Sequence, residues 1–361
     1  MNKKMNKLVK MVSVTAALFG SFVPLSSTVN AQESLNIQAI AKGFTQQYWS
    51  AVRTGAEQAA EEYNVNLTFV GPANETAVQE QVQMLSNAIN QNPDAVVLAS
   101  LDTNSQIDLL QQAMDQNIPI IGFDSGVPEA PEGSVLATAA TDNVAAAGIA
   151  AEQIVLALGE ELDNASPENP IRIGILSQEA NSTSISERTQ GFADKVIELV
   201  ADKENLVDKV AVVGHDKFNN GVSENDAALI IQVQIPANAT DAEVLTTAQA
   251  LLNSENLRAV FASNETASKG IINANDALGG VVGPDGILVA GFDSGLLQKD
   301  AVKNNVFIGS VTQDPITIGY SGVELAVKAI NGEEVEDLSV EAIWYNSENI
   351  ESDEVAPLLY D

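Results

Sequence analysis

Short apolar runs at Leu35–Ala41, Val65–Val70, Ala95–Ala99, Ile118–Phe123 and Val135–Ala139 alternate with helix-period segments at Tyr48–Tyr63, Thr76–Asn90 and Ser105–Asn117. The runs have strand length and the longer segments carry the 3.6-residue return of apolar positions. Their alternation predicts a parallel sheet with helices on both faces. Pro93-Asp94 and Asn117-Ile118-Pro119 end two of the helices and lead into strands. After Thr141-Asp142-Asn143 the pattern starts again. It runs through a helix at Val144–Leu158, a strand at Ile171–Leu176 and a helix at Ser184–Val200, then strands at Leu229–Gln234, Ala259–Ala262 and Ile287–Ala290. A strand at Val306–Ser310, a helix at Ile316–Ile330 and an extended Ala342–Asn346 complete it. The expectation is an α/β chain of two Rossmann-like lobes with similar wiring. Residues 202–228 fit this rhythm poorly, with one short run at Lys209–Val213, and read as an insertion beside the second lobe.

One detail repeats with the wiring. Gly-Phe-Asp-Ser-Gly occurs at Gly122–Gly126 and again at Gly291–Gly295, each time directly after an apolar run. The spacing is far too long for a solenoid repeat. It fits two similar lobes that each hold one strand-end Asp toward a common cleft, where ligands of open α/β sheets bind. The alternative is a pair of ordinary strand-to-loop turns, with Gly and Asp chosen for the backbone.

Composition narrows the function classes. Lys3, Lys4, Lys7 and Lys10 precede an apolar stretch from Met11 to Leu25, and Val29-Asn30-Ala31 supplies a small-x-small cleavage site. Residues 1–31 are therefore expected to be a cleaved secretory signal, giving a periplasmic or extracellular protein. With no cysteine in the chain, disulfides, thiolate metal sites and an N-terminal lipid anchor on Cys are excluded. Without residues 1–31 the chain has 13 basic and 49 acidic residues, a formal charge of −36, which argues against a nucleic-acid partner. His215 is the only histidine and reads as a surface loop residue, so Ser-His-Asp, Cys-His and histidine-based zinc chemistry have no seat. Neither a phosphate loop nor a Gly-x-Gly-x-x-Gly after the first strand is present. No cofactor, metal site or catalytic residue is expected.

What converges is a set of polar and aromatic residues at predicted strand ends. After the first strand, Tyr48 and Trp49 offer flat apolar faces and Lys42 and Gln46 offer polar groups, a combination suited to a sugar ring. In the competing reading one of the two rings packs the start of its helix into the core, but not both. Asp124 and Asp293 can each accept two charge-assisted hydrogen bonds from adjacent hydroxyls. Paired carboxylates also serve glycoside hydrolysis, which needs one raised pKa and a set separation, neither visible in the sequence. Asp142-Asn143, Asn264-Glu265 and Gln313 are further polar residues at strand ends, and the Asx residues among them also suit helix caps.

In order along the chain stand Lys42-Gly-x-x-x-x-Tyr-Trp-x-x-Val-x-x-Gly-Ala56, Val97-Leu-Ala-Ser-Leu-Asp102, Ile118-Pro-Ile-Ile-Gly-Phe-Asp124 and Thr141-Asp-Asn143. They are followed by Glu187-Arg-x-x-Gly-Phe192, Ala259-Val-Phe-Ala-x-Asn264, Val289-Ala-Gly-Phe-Asp293 and Gln313-Asp-Pro315, then Gly319 and Gly322. Together they resemble the type I periplasmic sugar-binding proteins of ABC transporters, the ribose- and galactose-binding group, over nearly the whole chain beyond residue 31. The resemblance implies two lobes joined by three crossovers near Thr141–Asp142, Gln313–Asp314 and Ala342–Ile343. It divides the chain into a first lobe of residues 32–141 plus 314–342 and a second of residues 142–313 plus 343–361. It gives Tyr48 and Trp49 the role of sugar clamp and makes Asp124, Asn264, Phe292, Asp293 and Gln313 ligand contacts, with Thr141 a hinge residue touching ligand.

The sequence departs from the ribose type in ways that argue against ribose itself. The Arg after the first Asp is Ser125, and the Arg of the second-lobe helix start falls on Ser186, with Arg188 just beyond. Lys42 is the replacement for the lost positive charge. The second-lobe aromatic is missing near Ala239, with Phe292 or Phe218 as substitutes. The implied protein is a monomer that closes on a small sugar or polyol and delivers it to a membrane permease, without catalysis. A receptor subunit for a chemoreceptor or sensor kinase would bind in the same way. A sugar-responsive repressor shares the core but needs a basic DNA-binding domain that this chain lacks.

Overall fold

The computed structural model describes residues 34–43 and 46–360, so the signal segment expected over residues 1–31 lies outside the described residues. In the first lobe, β1 (Leu35–Ile40), β2 (Val65–Val70), β3 (Ala95–Leu98), β4 (Ile120–Phe123), β5 (Ala137–Thr141) and β12 (Leu338–Val340) form one sheet. Its order is β12-β5-β4-β3-β1-β2, and every pairing is parallel. Residues of β3 and β4 are buried throughout, because α1 (Gln47–Glu62) and α10 (Pro315–Ile330) cover one face and α2 (Val78–Asn90) and α3 (Ile107–Asp115) the other. Coverage on both faces is why these strands appear as unbroken apolar runs.

The second lobe repeats the plan with α4 (Asn143–Leu158), a one-turn α5 (Glu160–Asp163), β6 (Ile171–Leu176), α6 (Thr183–Val200), β7 (Val210–Val213), β8 (Leu229–Gln234) and α7 (Asp241–Leu252). It continues with β9 (Leu257–Ala262), α8 (Glu265–Ala277), β10 (Leu288–Phe292), α9 (Leu296–Lys303), β11 (Gly309–Thr312) and β13 (Ile343–Tyr345). The sheet order is β13-β11-β10-β9-β6-β8-β7, parallel except for β13, which runs antiparallel to β11. Residues 202–228, expected as an insertion beside the lobe, contribute β7, which pairs along its length with β8 at the sheet edge. The strand expected at Val306–Ser310 starts later. Val306 and Phe307 both donate backbone N–H bonds to Ala301 O and close α9, with Asn305 in the left-handed region and Phe307 buried in the core. Their apolar character serves that helix end rather than the sheet.

The chain crosses between the lobes three times: from β5 into α4, from β11 into α10, and from β12 to β13. The carboxyl ends of β1, β4, β9 and β10 consequently face one another across the cleft. In the first lobe α1 and α10 approach unusually closely. A methyl group at Gly319 would lie 1.9 Å from Val52 O, and one at Gly55 would lie 1.9 Å from Ile316 O. No rotamer relieves a clash with backbone, so Gly319→Ala must force the helices apart. The helix-propensity gain of about 1 kcal/mol should be outweighed, with a net destabilisation of about 1–3 kcal/mol from overpacking. A lowered urea midpoint at unchanged m-value is the expected result, and a raised midpoint would contradict the close approach.

Candidate functional site

Both Gly-Phe-Asp-Ser-Gly copies form the same backbone feature. Asp124 follows β4 with φ +60° and Asp293 follows β10 with φ +79°, so each Asp sits in the left-handed region at the end of its strand. Asp tolerates this conformation better than most residues. The strand-end N–H groups stay paired, Asp124 N with Ala139 O at 2.9 Å and Asp293 N with Val311 O at 2.7 Å. The two carboxylates line one cavity between the lobes together with Lys42, Gln46, Tyr48, Trp49, Glu75, Ile185, Arg188, Asn264, Glu265 and Gln313.

Each Asp has its own partners. Tyr48 Oη donates to Asp124 Oδ1 at 2.6 Å, and Lys42 Nζ lies 3.1 Å from Asp124 Oδ2 while donating to Ser184 Oγ at 2.9 Å. Gln313 Nε2 donates to Asp293 Oδ1 at 2.7 Å and Glu265 N to Asp293 Oδ2 at 3.0 Å, with Arg188 Nη1 3.8 Å from the same oxygen. The Arg188 guanidinium lies 3.8 Å above the Phe292 ring, and its Nε and Nη1 donate to Asn143 Oδ1 and Ser263 O. Burial works to lower the Lys42 pKa, but the fields of Asp124, Glu75 and Glu179 outweigh it and leave the ammonium above its ordinary value. Burial pushes the Asp293 carboxyl up against the opposing pull of Arg188 and Gln313. Tyr48 is held well above the phenol range, by burial first and then by Asp124, so it serves as a donor.

Of the residues expected at the site, the structure brings Lys42, Gln46, Tyr48, Trp49, Asp124, Asn264, Asp293 and Gln313 to the cavity wall. Thr141 is buried just behind it, donating to Gln313 Oε1 at 2.9 Å, and lines a neighbouring groove beside β5 and the start of α4 that Asp124 also lines. Phe292 does not reach the wall. It lies fully buried beneath Arg188, edge-on to Phe261. Ser186 points away, bonding Ala180 O and accepting from Lys217 Nζ, and Arg188 occupies the wall one helical step on. Phe218 is packed in the second-lobe core, so neither substitute for the missing aromatic faces the cavity.

Both Tyr48 and Trp49 are buried in the first-lobe core, although at most one was expected there. The two readings merge because each ring has an apolar body and a polar tip. Trp49 Nε1 reaches Glu75 Oε1 at 2.6 Å, just as the Tyr48 hydroxyl reaches Asp124. Asn264 likewise does two things, capping α8 through Ala267 N and donating to Gln178 Oε1. Asp142 is a helix cap, accepting from Ala145 N, and Asn143 positions Arg188.

The lobes touch directly across the cleft. Gln178 Nε2 donates to Glu75 Oε2 at 2.6 Å, Gln46 Nε2 to Thr266 Oγ1 at 3.1 Å, and Leu296 N to Gln47 Oε1 at 3.0 Å. The cavity so enclosed measures about 20 Å³, room for roughly one water. Anything as large as a sugar ring would need the lobes to separate or the polar side chains to rotate. Among the described residues no group of three or more His, Asp or Glu side chains is arranged to hold a metal ion.

Glu75 is a wall residue that sequence reasoning did not single out, and Glu265, grouped with Asn264 among the polar strand-end residues, stands beside it on the wall. Burial, then Asp293 and Glu75, push the Glu265 carboxyl up to about 7, with the backbone N–H groups of Gln47 and Tyr48 opposing. A carboxyl with a raised folded-state pKa stabilises the fold fully below its unfolded-state value and loses that contribution as pH rises through the folded value. Glu265→Gln should therefore remove a fall in melting temperature between about pH 4.5 and 7. Parallel melting curves for the variant and the parent across that window would refute the assignment.

The fold and the cleft define a class: two-lobed α/β binding proteins with one ligand site where two parallel sheets face each other across three crossovers. The chain belongs to the periplasmic binding protein domain family, matched over residues 37–334. It is 25% identical over 335 residues to the ribose import binding protein of Escherichia coli, covering 92% of this chain and 95% of that one. It is 23% identical over 334 residues to the D-allose-binding periplasmic protein of the same organism, covering 90% and 92%. Among solved structures, a Brachyspira murdochii protein described as an ABC transporter, LacI family transcriptional regulator, superposes with a TM-score of 0.75 at 34% identity, covering 91% of this chain and 99% of that one. An ABC transporter solute-binding protein from Agrobacterium vitis with bound D-fucose gives 0.74 at 25% identity, covering 90% and 100%. No helix among the described residues is long and apolar enough to cross a membrane.

Proposed function

We propose that this protein is the sugar-binding component of an ABC importer, exported by its N-terminal signal, which takes a small sugar or polyol between its lobes and presents it to a membrane permease. The observation that carries the reading is the pairing of two left-handed strand-end aspartates in one cavity, each matched with a cation from its own lobe. Oriented carboxylates and their paired donors suit vicinal hydroxyls, which both donate and accept. Relatives named for ribose and allose, and a neighbour holding D-fucose, support the same ligand class. Closure follows because a ligand touching both lobes gains its full set of contacts only when they meet.

The test is a thermal-shift screen of the chain lacking residues 1–31 against pentoses, hexoses, inositols and linear polyols, with calorimetry on the hits. A ligand present at about 100 times its Kd should stabilise the folded protein by about 2.7 kcal/mol. Binding of an amino acid or other non-carbohydrate, with no response to any sugar or polyol, would replace the reading.

A further inference from the structure

Charge is unevenly spread over the cavity. At the inner end, where Asp124 also borders the groove beside β5, two carboxylates, Asp124 and Asp293, meet two cations, Lys42 and Arg188. At the mouth stand Glu75 and Glu265, which together with Gln46 line both the inner cavity and an outer cleft of about 280 Å³. Neither glutamate is ion-paired to a Lys or Arg among the described residues. The outer cleft contains one Lys, Lys269, and Asp241 holds it at 3.0 Å.

Hydrogen bonding is uneven in the same direction. The Glu75 oxygens accept from Trp49 and Gln178. Gln46 Oε1 and Glu265 Oε2 are buried acceptors with no hydrogen-bond donor among the described residues. Deeper in the same cavity Asp124, only 3% exposed, has an Oδ2 with an ion-pair contact but no directed hydrogen bond. A buried acceptor left without a donor costs about 1–3 kcal/mol, and more when it is charged. The wall is thus short of donors at Gln46 Oε1, Glu265 Oε2 and Asp124 Oδ2, and short of positive charge at the mouth. A hydroxyl brings one donor and no charge, whereas an ammonium brings three donors and a full positive charge.

We propose that the ligand carries a protonated amine among its hydroxyls, as an amino sugar or amino-polyol does, with the ammonium seated at the mouth between Glu265, Glu75 and Gln46. The proposal rests on the sugar-binding reading above and names its substrate class. Lys42 and Arg188 repel an amine from the inner end, which fixes the ligand's orientation, hydroxyls inward.

Calorimetric titration of the chain lacking residues 1–31 with D-glucose against D-glucosamine, D-galactose against D-galactosamine, and their N-acetylated forms tests it near neutral pH. In a pair that binds, the amine member should be tighter by about tenfold or more, as expected for a close charge pair. Acetylation, which removes the charge, should abolish the advantage, and added salt should shrink it. In Glu265→Gln the amine-to-hydroxyl affinity ratio should fall by about tenfold, whatever happens to absolute affinity. Equal or tighter binding of the hydroxyl member, or an advantage that survives acetylation, would overturn the proposal and leave the sugar reading intact. If no sugar, amino sugar or polyol binds, the sugar reading falls and this proposal falls with it.

Discussion

Replacing Arg188 with leucine should be the most damaging single change in the cleft. The side chain is almost fully buried, and it is the only cation beside Asp293 among the described residues that line the cavity. Its removal also leaves Asn143 Oδ1 and Ser263 O without the donors they now use. Breaking a buried pair from one side costs about 3–5 kcal/mol, because the surviving charge stays buried. The Asp293 carboxyl, already raised by burial, should rise further and take up a proton. The expected result is a large drop in urea midpoint that is partly recovered at acidic pH, where the neutral carboxyl is tolerated. A midpoint close to the parent's at every pH would show that Arg188 does not compensate Asp293. Leucine keeps an apolar group over the Phe292 ring, which separates loss of charge from loss of packing.

Asp124→Asn should act mainly on binding. Asparagine accepts a left-handed φ, so the strand end keeps its shape while the charge disappears. An alanine exchange would confound the two, since alanine is strained at φ +60°. Without the carboxylate, Lys42 is buried with Ser184 Oγ as its remaining partner, and Tyr48 loses its strongest acceptor. Removing one member of a buried, hydrogen-bonded charge pair at a binding site costs about 2–5 kcal/mol. Affinity for whichever sugar binds the parent best should therefore fall by roughly 30-fold or more. An affinity within a few-fold of the parent would return the first Gly-Phe-Asp-Ser-Gly to the status of a plain turn.

The features legible in the sequence were those with a local cause. Strands buried on both faces appear as apolar runs, and an Asp between Gly-Phe and Ser-Gly marks a strand end whatever the rest of the chain does. Residues whose role arises only when the lobes meet left a weak mark, as Glu265 did beside Asn264, or none, as with Glu75. Glu265 sits at an ordinary helix start, and Glu75 lies in a polar loop between β2 and α2. Both become cavity residues through partners such as Gln47, Tyr48 and Gln178, brought close by the crossovers. Ser186 and Arg188 show the limit of reading a helix by position. Two residues along α6 turn a side chain from Lys217 on the outside to Phe292 and Asp293 on the inside. The same applies to Tyr48 and Trp49, where choosing between core and site was a false alternative for side chains that are apolar along most of their length.

The distribution of ion pairs has a consequence for motion. Lys42 and Asp124 belong to the first lobe, Arg188 and Asp293 to the second, so each jaw carries its opposite charges with it. Among the described residues, swinging the jaws apart breaks no ion pair and costs only the longer-range pull of Glu179 on Lys42. It breaks the inter-lobe hydrogen bonds, such as Lys42 to Ser184, Gln178 to Glu75 and Gln46 to Thr266, whose donors and acceptors can turn to solvent. It also separates two acids, Glu75 and Glu265, that repel each other. The electrostatic barrier to gaping is therefore low, and the rate at which the empty lobes open should depend far less on ionic strength than the acidity of this chain would suggest.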